Sequence, residues 1–167
     1  MRHIISVFIE NQSGALSRVA GLFSARGYNI ESLTVAPTND DTLSRMTIVT
    51  VGDDRKIDQI EKQLNKLVDV VAMQDIVLSD HLEREVVLVK LAVDSSKKGE
   101  IDKVVKAFNG TLHNSGENLY IVEMSGSSEK VNELIDSLSS AYIIEVARSG
   151  VTGLSSGDQA LDGALKI

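Results

Sequence analysis

Twice along this chain the spacing of apolar side chains changes period in one order: strand, helix, strand, strand, helix, strand. No other feature restricts the fold so far. In the first pass residues 3–9 form an apolar strand. Leu16, Val19, Ala20 and Phe23 then fall at i, i+3, i+4 and i+7 on one helical face, and Gly27 is predicted to close that helix. Residues 28–36 read as a strand stopped by Pro37, and the polar turn 38–42 hands over to a strand at 43–51, which makes a hairpin. Asp53 and Asp54 suit a helix N-terminus; Ile57, Ile60, Leu64 and Leu67 keep helical spacing, and residues 68–77 return to an extended pattern. The second pass is weaker. It has a strand at 84–93, a helix marked by Ile101, Val104, Val105 and Phe108 and closed by Asn109-Gly110, short strands at 111–115 and 118–124 flanking Ser115–Glu117, a helix through Val131, Leu134, Ile135 and Leu138, and a strand at 142–147.

This order defines an α+β class: two ferredoxin-like βαββαβ domains, each an antiparallel sheet with both helices on one face and strand order 4-1-3-2. The expected divisions are a first domain at 1–78, a linker at 79–82, a second domain at 83–152 and a tail at 153–167. For the tail two readings stand, disorder until a partner binds or docking of Leu161, Leu165 and Ile167 as a short amphipathic turn. The order 4-1-3-2 leaves the strand at 28–36 on a sheet edge. It carries one charge, Glu31, so it is expected to pair with a second copy of the chain, unless Glu31 and Pro37 blunt it.

Composition excludes several functions. The net charge of −7 is shared between residues 1–80 (8 basic, 11 acidic) and 81–167 (9 basic, 13 acidic), so neither half attracts nucleic acid. The stacking aromatics that RNA-binding sheets need are missing from the central strands apart from Phe8. Cysteine is absent, and His3, His81 and His113 are scattered without ligand spacing, so neither a metal site nor a nucleophile–base constellation is expected. The apolar run before Glu10 is too short for a signal peptide and no segment is long enough to span a bilayer, which leads to the expectation of a soluble, cytoplasmic protein.

The stretch Glu10–Val19 is where chemistry is expected. A strand breaks there at a polar turn and a helix starts, and the first amides of a helix have no intrahelical acceptor and carry the positive end of its dipole. A small carboxylate docks readily at such a point, and Gly14 leaves room for it. The ordinary explanations are also open: Asn11 as a turn former, Ser13 as an N-cap, Gly14 as a sterically required residue, Asn29 as a strand-start polar group and Ile30 as core or edge. Arg18, Arg26 and Arg45 are open to two readings, partner contacts or ordinary surface charges.

The runs Asn11-Gln-Ser-Gly-Ala-Leu-Ser-Arg18, Gly21-Leu-Phe-Ser24, Arg26-Gly-Tyr-Asn-Ile-Glu-Ser-Leu-Thr-Val35, Ser44-Arg-Met-Thr-Ile48 and Gln63-Leu-Asn-Lys-Leu-Val-Asp-Val70 closely resemble the small regulatory subunits of acetolactate synthase. The resemblance is dense over residues 2–78, where that family has an ACT domain, and sparser over 83–153, ending in Ile144-Glu-Val-Ala-Arg-Ser-Gly-Val-Thr-Gly153. It implies a non-catalytic chain that activates a large catalytic subunit and confers feedback inhibition by a branched-chain amino acid, most often valine. Thiamine diphosphate, magnesium and FAD are then expected only on the catalytic subunit, and no cofactor on this chain. It also implies a homodimer through the ACT domains, with the effector held by Asn11, Gln12, Ser13, Gly14, Ala15 and Leu16 of one copy and by Asn29 and Ile30 of the other. A stand-alone amino-acid sensor serving a different enzyme is the alternative, since an ACT fold alone specifies no partner.

Overall fold

The computed structural model describes residues 1–157 and 161. The chain folds as two compact units, one made of Met1–Leu82 together with the chain from Val151 onward, the other of Glu83–Gly150.

In the first unit, β1 (Arg2–Glu10) leads into α1 (Ala15–Ala25), β2 (Ser32–Pro37), β3 (Leu43–Val51), α2 (Asp54–Leu64) and β4 (Val70–Asp75). The sheet order is β2-β3-β1-β4, antiparallel throughout, as the split arrangement requires. Ile5, Val7 and Ile9 of β1 and Met46 and Ile48 of β3 face the helices, where they meet Val19, Leu22 and Phe23 of α1 and Ile57, Ile60 and Leu64 of α2. The helix ends follow from local chemistry. Asp53 accepts the Lys56 N–H at 2.8 Å to open α2, and α1 closes at Gly27, beyond which the Tyr28 N–H reaches back to the Phe23 carbonyl at 2.9 Å.

Two strands differ from expectation. β2 starts at Ser32 rather than residue 28, because Tyr28 and Ile30 pack against the core and the Glu31 N–H makes the first bond to β3, to the Val49 carbonyl at 2.8 Å. Pro37 is its last residue rather than its stop. An edge strand tolerates proline where its N–H would point outward. β4 ends at Asp75, whose carboxylate accepts the Val77 N–H and turns the chain into a single 3₁₀ turn, Ile76–Leu78.

The chain then enters β5 (His81–Ala92), and the second unit adds α3 (Lys98–Ala107), β6 (Thr111–Gly116), β7 (Leu119–Gly126), α4 (Ser128–Ser137) and β8 (Tyr142–Arg148). Its order, β6-β7-β5-β8, repeats the first. Val87, Val89 and Leu91 of β5 and Val122 and Met124 of β7 pack against Ile101, Val105, Val131 and Leu134 of the helices. The β6–β7 turn falls at residues 117–118, with Asn118 in the left-handed region, one position later than the Ser115–Glu117 turn expected.

The second domain was expected to run to residue 152 and a tail to follow. Instead the chain rejoins the first unit at Val151 and forms β9 (Thr152–Ser155), which pairs with β5. Val151, 3% exposed, packs with Ile4, Val49 and Ile76 on the sheet face opposite the helices. Gly153 fits there because it has no side chain: a Cβ would lie 2.7 Å from Ile76 Cδ1. These small residues let the segment lie flat on the sheet, which is why β1 is buried on both faces. Leu161 is also buried, whereas Leu165 and Ile167, named above for docking, lie outside the described residues. Val151→Ala is expected to destabilise the first unit by about 1–3 kcal/mol, by removing buried methyls from a close-packed cluster. Faster hydrogen exchange at the Ile4 and Val49 amides, with the β5–β7 amides unchanged, is the measurement that checks it.

Candidate functional site

The turn after β1 is held by three neighbours. The Glu10 N–H donates to the Asp69 carbonyl at 2.8 Å, the Asn11 N–H to the Thr42 carbonyl at 2.7 Å, and Asn11 Nδ2 to the Asp41 carbonyl at 2.9 Å. The Gln12 N–H folds back on the Glu10 carbonyl at 2.8 Å. The N-cap of α1 is Gly14 at φ +88°, not Ser13, and no side chain caps the helix. A left-handed cap favours glycine strongly. Ala15 and Arg18 donate to the Gln12 and Gly14 carbonyls, while among the described residues the amides of Ser13, Gly14, Leu16 and Ser17 have no backbone acceptor. Four N–H dipoles are therefore left unpaired by the backbone at the helix start.

Arg18 lies one turn into α1 and forms a two-pronged ion pair with Asp69, Nε to Oδ2 at 2.5 Å and Nη2 to Oδ1 at 2.6 Å. Its third nitrogen sits over Gly14, where a Cβ would come 2.9 Å from Nη1. The Arg18 hydrogen bonds hold the Asp69 carboxyl below the usual carboxylate range, and burial opposes this only in part. Arg18 itself is pushed further into its charged form, mainly by the bond to Asp69. The helix start thus sets an ion-paired guanidinium, its Nη1 beside Gly14, next to amides without a backbone acceptor, hydrogen-bond donors of the kind that suit a small anion.

Beside the turn runs a groove of about 240 Å³. Ile9, Ala15, Leu16, Val35, Ala36 and Pro37 give it an apolar wall, and Glu10, Asn11, Gln12 and Ser44 the polar groups at its end. It is smaller than the ~300–1,000 Å³ of pockets that take drug-sized ligands. Of the expected residues, Asn11, Gln12, Ala15 and Leu16 line the groove and Ser13 and Gly14 belong to the same turn. Asn29 and Ile30 do not join them within one chain. The Asn29 carbonyl accepts Thr50 Oγ1 at 2.7 Å, and Thr50 pairs with His3 at the end of the sheet away from the Glu10–Leu43 pair.

Glu10, Val35, Pro37 and Ser44 were missed by sequence reasoning. Their signal was the strand register, in which Ser44 pairs with both Ile9 and Pro37 and brings the edge strand to the turn. The three arginines have partners inside the chain: Arg18 with Asp69, Arg26 with Gln63, and Arg45 stacked 5.4 Å from the Phe8 ring centroid with Nη2 donating to the Gly153 carbonyl. His3 contacts Asp75, His113 contacts Glu123 and His81 contacts the Ser79 carbonyl; among the described residues no His, Cys, Asp or Glu cluster could hold a metal. No helix among the described residues is long and apolar enough to cross a membrane.

Residues 5–72 match the family described as AHAS small subunit-like ACT domain, and residues 84–157 the family described as small subunit of acetolactate synthase. The acetolactate synthase isozyme 3 small subunit of Salmonella typhimurium is 54% identical over 160 residues, covering 95% of this chain and 98% of that protein. Its Escherichia coli counterpart is 53% identical over the same shares. The crystal structure of the acetolactate synthase small subunit from Thermotoga maritima superposes with a TM-score of 0.87 at 35% identity, over 95% of this chain and 99% of that one. The fold and these matches define a regulatory ACT-domain protein rather than a catalytic one. The chain belongs to the family of acetolactate synthase small subunits.

Because the Asp69 carboxyl is held low, the stability it contributes is complete above the unfolded value near ~3.9 and lost as pH falls through and below it. Asp69→Asn is therefore expected to lower the Tm at neutral pH, with the gap to the unaltered protein narrowing as the pH falls from about 5 to 3. Thermal melts across that range check the sign.

Proposed function

We propose that this chain binds a branched-chain amino acid, valine on the strength of the family resemblance, and transmits its presence as feedback inhibition to the acetolactate synthase catalytic subunit it activates. The observation that carries this reading is the set of amides without a backbone acceptor at Ser13, Gly14, Leu16 and Ser17, beside the Arg18 guanidinium and in the turn that borders an apolar groove. An amino acid presents the matching groups. Its carboxylate meets the amides and the cation, its ammonium finds the Glu10 carboxylate and the Asn11 amide oxygen, and its branched side chain lies along Leu16 and Val35.

The groove is bordered by Val35, Ala36 and Pro37 of β2, which among the described residues pairs with β3 alone and forms a sheet edge. Two copies pairing their β2 edges antiparallel about a two-fold axis would place Ser32 of one opposite Pro37 of the other. That pairing carries the residues preceding β2, Asn29 and Ile30, towards the other copy's turn, which accounts for their distance from it within one chain. It also covers the exposed Val35. In this reading the homodimer completes the site. Thiamine diphosphate, magnesium and FAD belong to the catalytic subunit, and the complex works in the cytoplasm.

The choice among valine, leucine and isoleucine turns on single methylene groups, each worth about 1–3 kcal/mol in an apolar pocket. Calorimetric titration of the full chain with all three is expected to show saturable binding, tightest for valine. Gly14→Asp sets a fixed carboxylate against the incoming one and is expected to weaken binding at least about tenfold. Absence of binding for all three, or unchanged affinity in the Gly14→Asp chain, would contradict the reading.

A further inference from the structure

The face of the first sheet away from the helices is crossed by a strap of the chain's own backbone. At its start Val151 is gripped at both polar groups by the edge strand: its N–H donates to Ser32 Oγ at 2.8 Å and its carbonyl accepts from Thr34 Oγ1 at 2.9 Å. The strap continues over β3, where Arg45 Nη2 donates to the Gly153 carbonyl at 3.3 Å, and reaches β4, where Ser155 Oγ donates to Gln74 Oε1 at 3.4 Å. Beyond β9, the Ser156 N–H donates to the Asp80 carbonyl at 2.7 Å.

We infer that the Ser32 and Thr34 hydroxyls are positioning residues for feedback, coupling the edge strand at the effector seam to the strap and so to the points where the chain leaves for and returns from its second unit. Ser32 and Thr34 alternate along β2 with Leu33 and Val35, so the strand has one side on the strap while Val35 lines the groove. Val151 is held among Ile4, Val49 and Ile76, so an edge strand that shifted without it would leave partly buried hydroxyls and a buried peptide unpaired. The cheaper movement is a joint one. Its far end is tied to Asp80, three residues before the second unit begins, and its near end is Val151, the first residue after that unit.

This inference rests on the effector site proposed above, and the test separates the two. The doubly altered chain Ser32→Ala/Thr34→Val, which keeps side-chain volume nearly constant, is reconstituted with the catalytic subunit. Its valine affinity is read by calorimetry, and its maximal inhibition at saturating valine by enzyme assay. The expected result is affinity within about twofold of the unaltered chain with maximal inhibition reduced to less than about half. The chain Ser32→Thr/Thr34→Ser retains both hydroxyls and is expected to keep full inhibition. If the double variant melts below the assay temperature, Ser32→Ala alone is expected to show the same split at smaller size. Full inhibition with the double variant, or loss of affinity in parallel with loss of inhibition, would overturn the coupling role. Failure of the unaltered chain to bind valine, leucine or isoleucine would instead strike the effector site itself and take this inference with it.

Discussion

Asp69 holds the first strand-to-helix turn from two sides, its carbonyl taking the Glu10 N–H at the end of β1 and its carboxylate taking both prongs of Arg18 one turn into α1. With strand end and helix start fixed to one residue, the four residues between them have little freedom, and the chain closes the gap only through Gly14 in a left-handed conformation. A serine or aspartate cap would satisfy the leading amides of α1 from within. Glycine cannot, so those amides stay available, and they stay aimed because Asn11 is tied to the neighbouring hairpin through both its backbone and its side chain.

The second unit shows what the same topology does without that arrangement. Between β5 and α3 the Asp94 carboxylate accepts the Ser96 N–H at 2.9 Å and the Ser96 hydroxyl at 2.6 Å, and the Lys97 N–H goes to the Asp94 carbonyl at 2.8 Å. The turn fills itself with its own anion, and the Ser96 bonds hold that carboxyl ionised by keeping it below the usual range. Strand order and helix placement are alike in the two units, so what separates a turn with open amides from a closed one is the residue chemistry at the junction.

Much of this was legible in the sequence because it depends on local periodicity. The presence of α1, the Asp53 cap and the hairpin of the first unit follow from side-chain pattern and turn chemistry alone, and the sheet order follows from the crossover rule, although α1 buries Ala15, Val19, Leu22 and Phe23 and leaves Leu16 of the expected face exposed. The run 11–16 was recognisable as a strand-to-helix turn for the same reason. What escaped depends on contacts far apart in the chain. β9 is four residues of unremarkable composition after a Gly-containing turn, and it is a strand through its pairing with β5, while Val151 just before it packs with Ile4, Val49 and Ile76. The Ser13 cap failed as a reading because Arg18 and Asp69, 51 residues apart, set the helix start, and pairing at that distance leaves no periodic trace. Ser44 and Pro37 enter the groove through register, which a pattern of apolar residues does not encode at the level of single positions.

The central claim is that the turn of one copy and the residues before β2 of another together make one site, and mixed dimers test it most directly. Chains carrying Gly14→Asp and chains carrying Asn29→Ala, each differently tagged, are combined and the doubly tagged dimer is isolated. In such a dimer one seam site carries both substitutions and the other carries neither. Each parental dimer is expected to bind valine weakly, whereas the mixed dimer regains the affinity of the unaltered protein at one valine per dimer. Mixed dimers that bind no better than the parents would show that the site is built within a single chain, and would contradict the account.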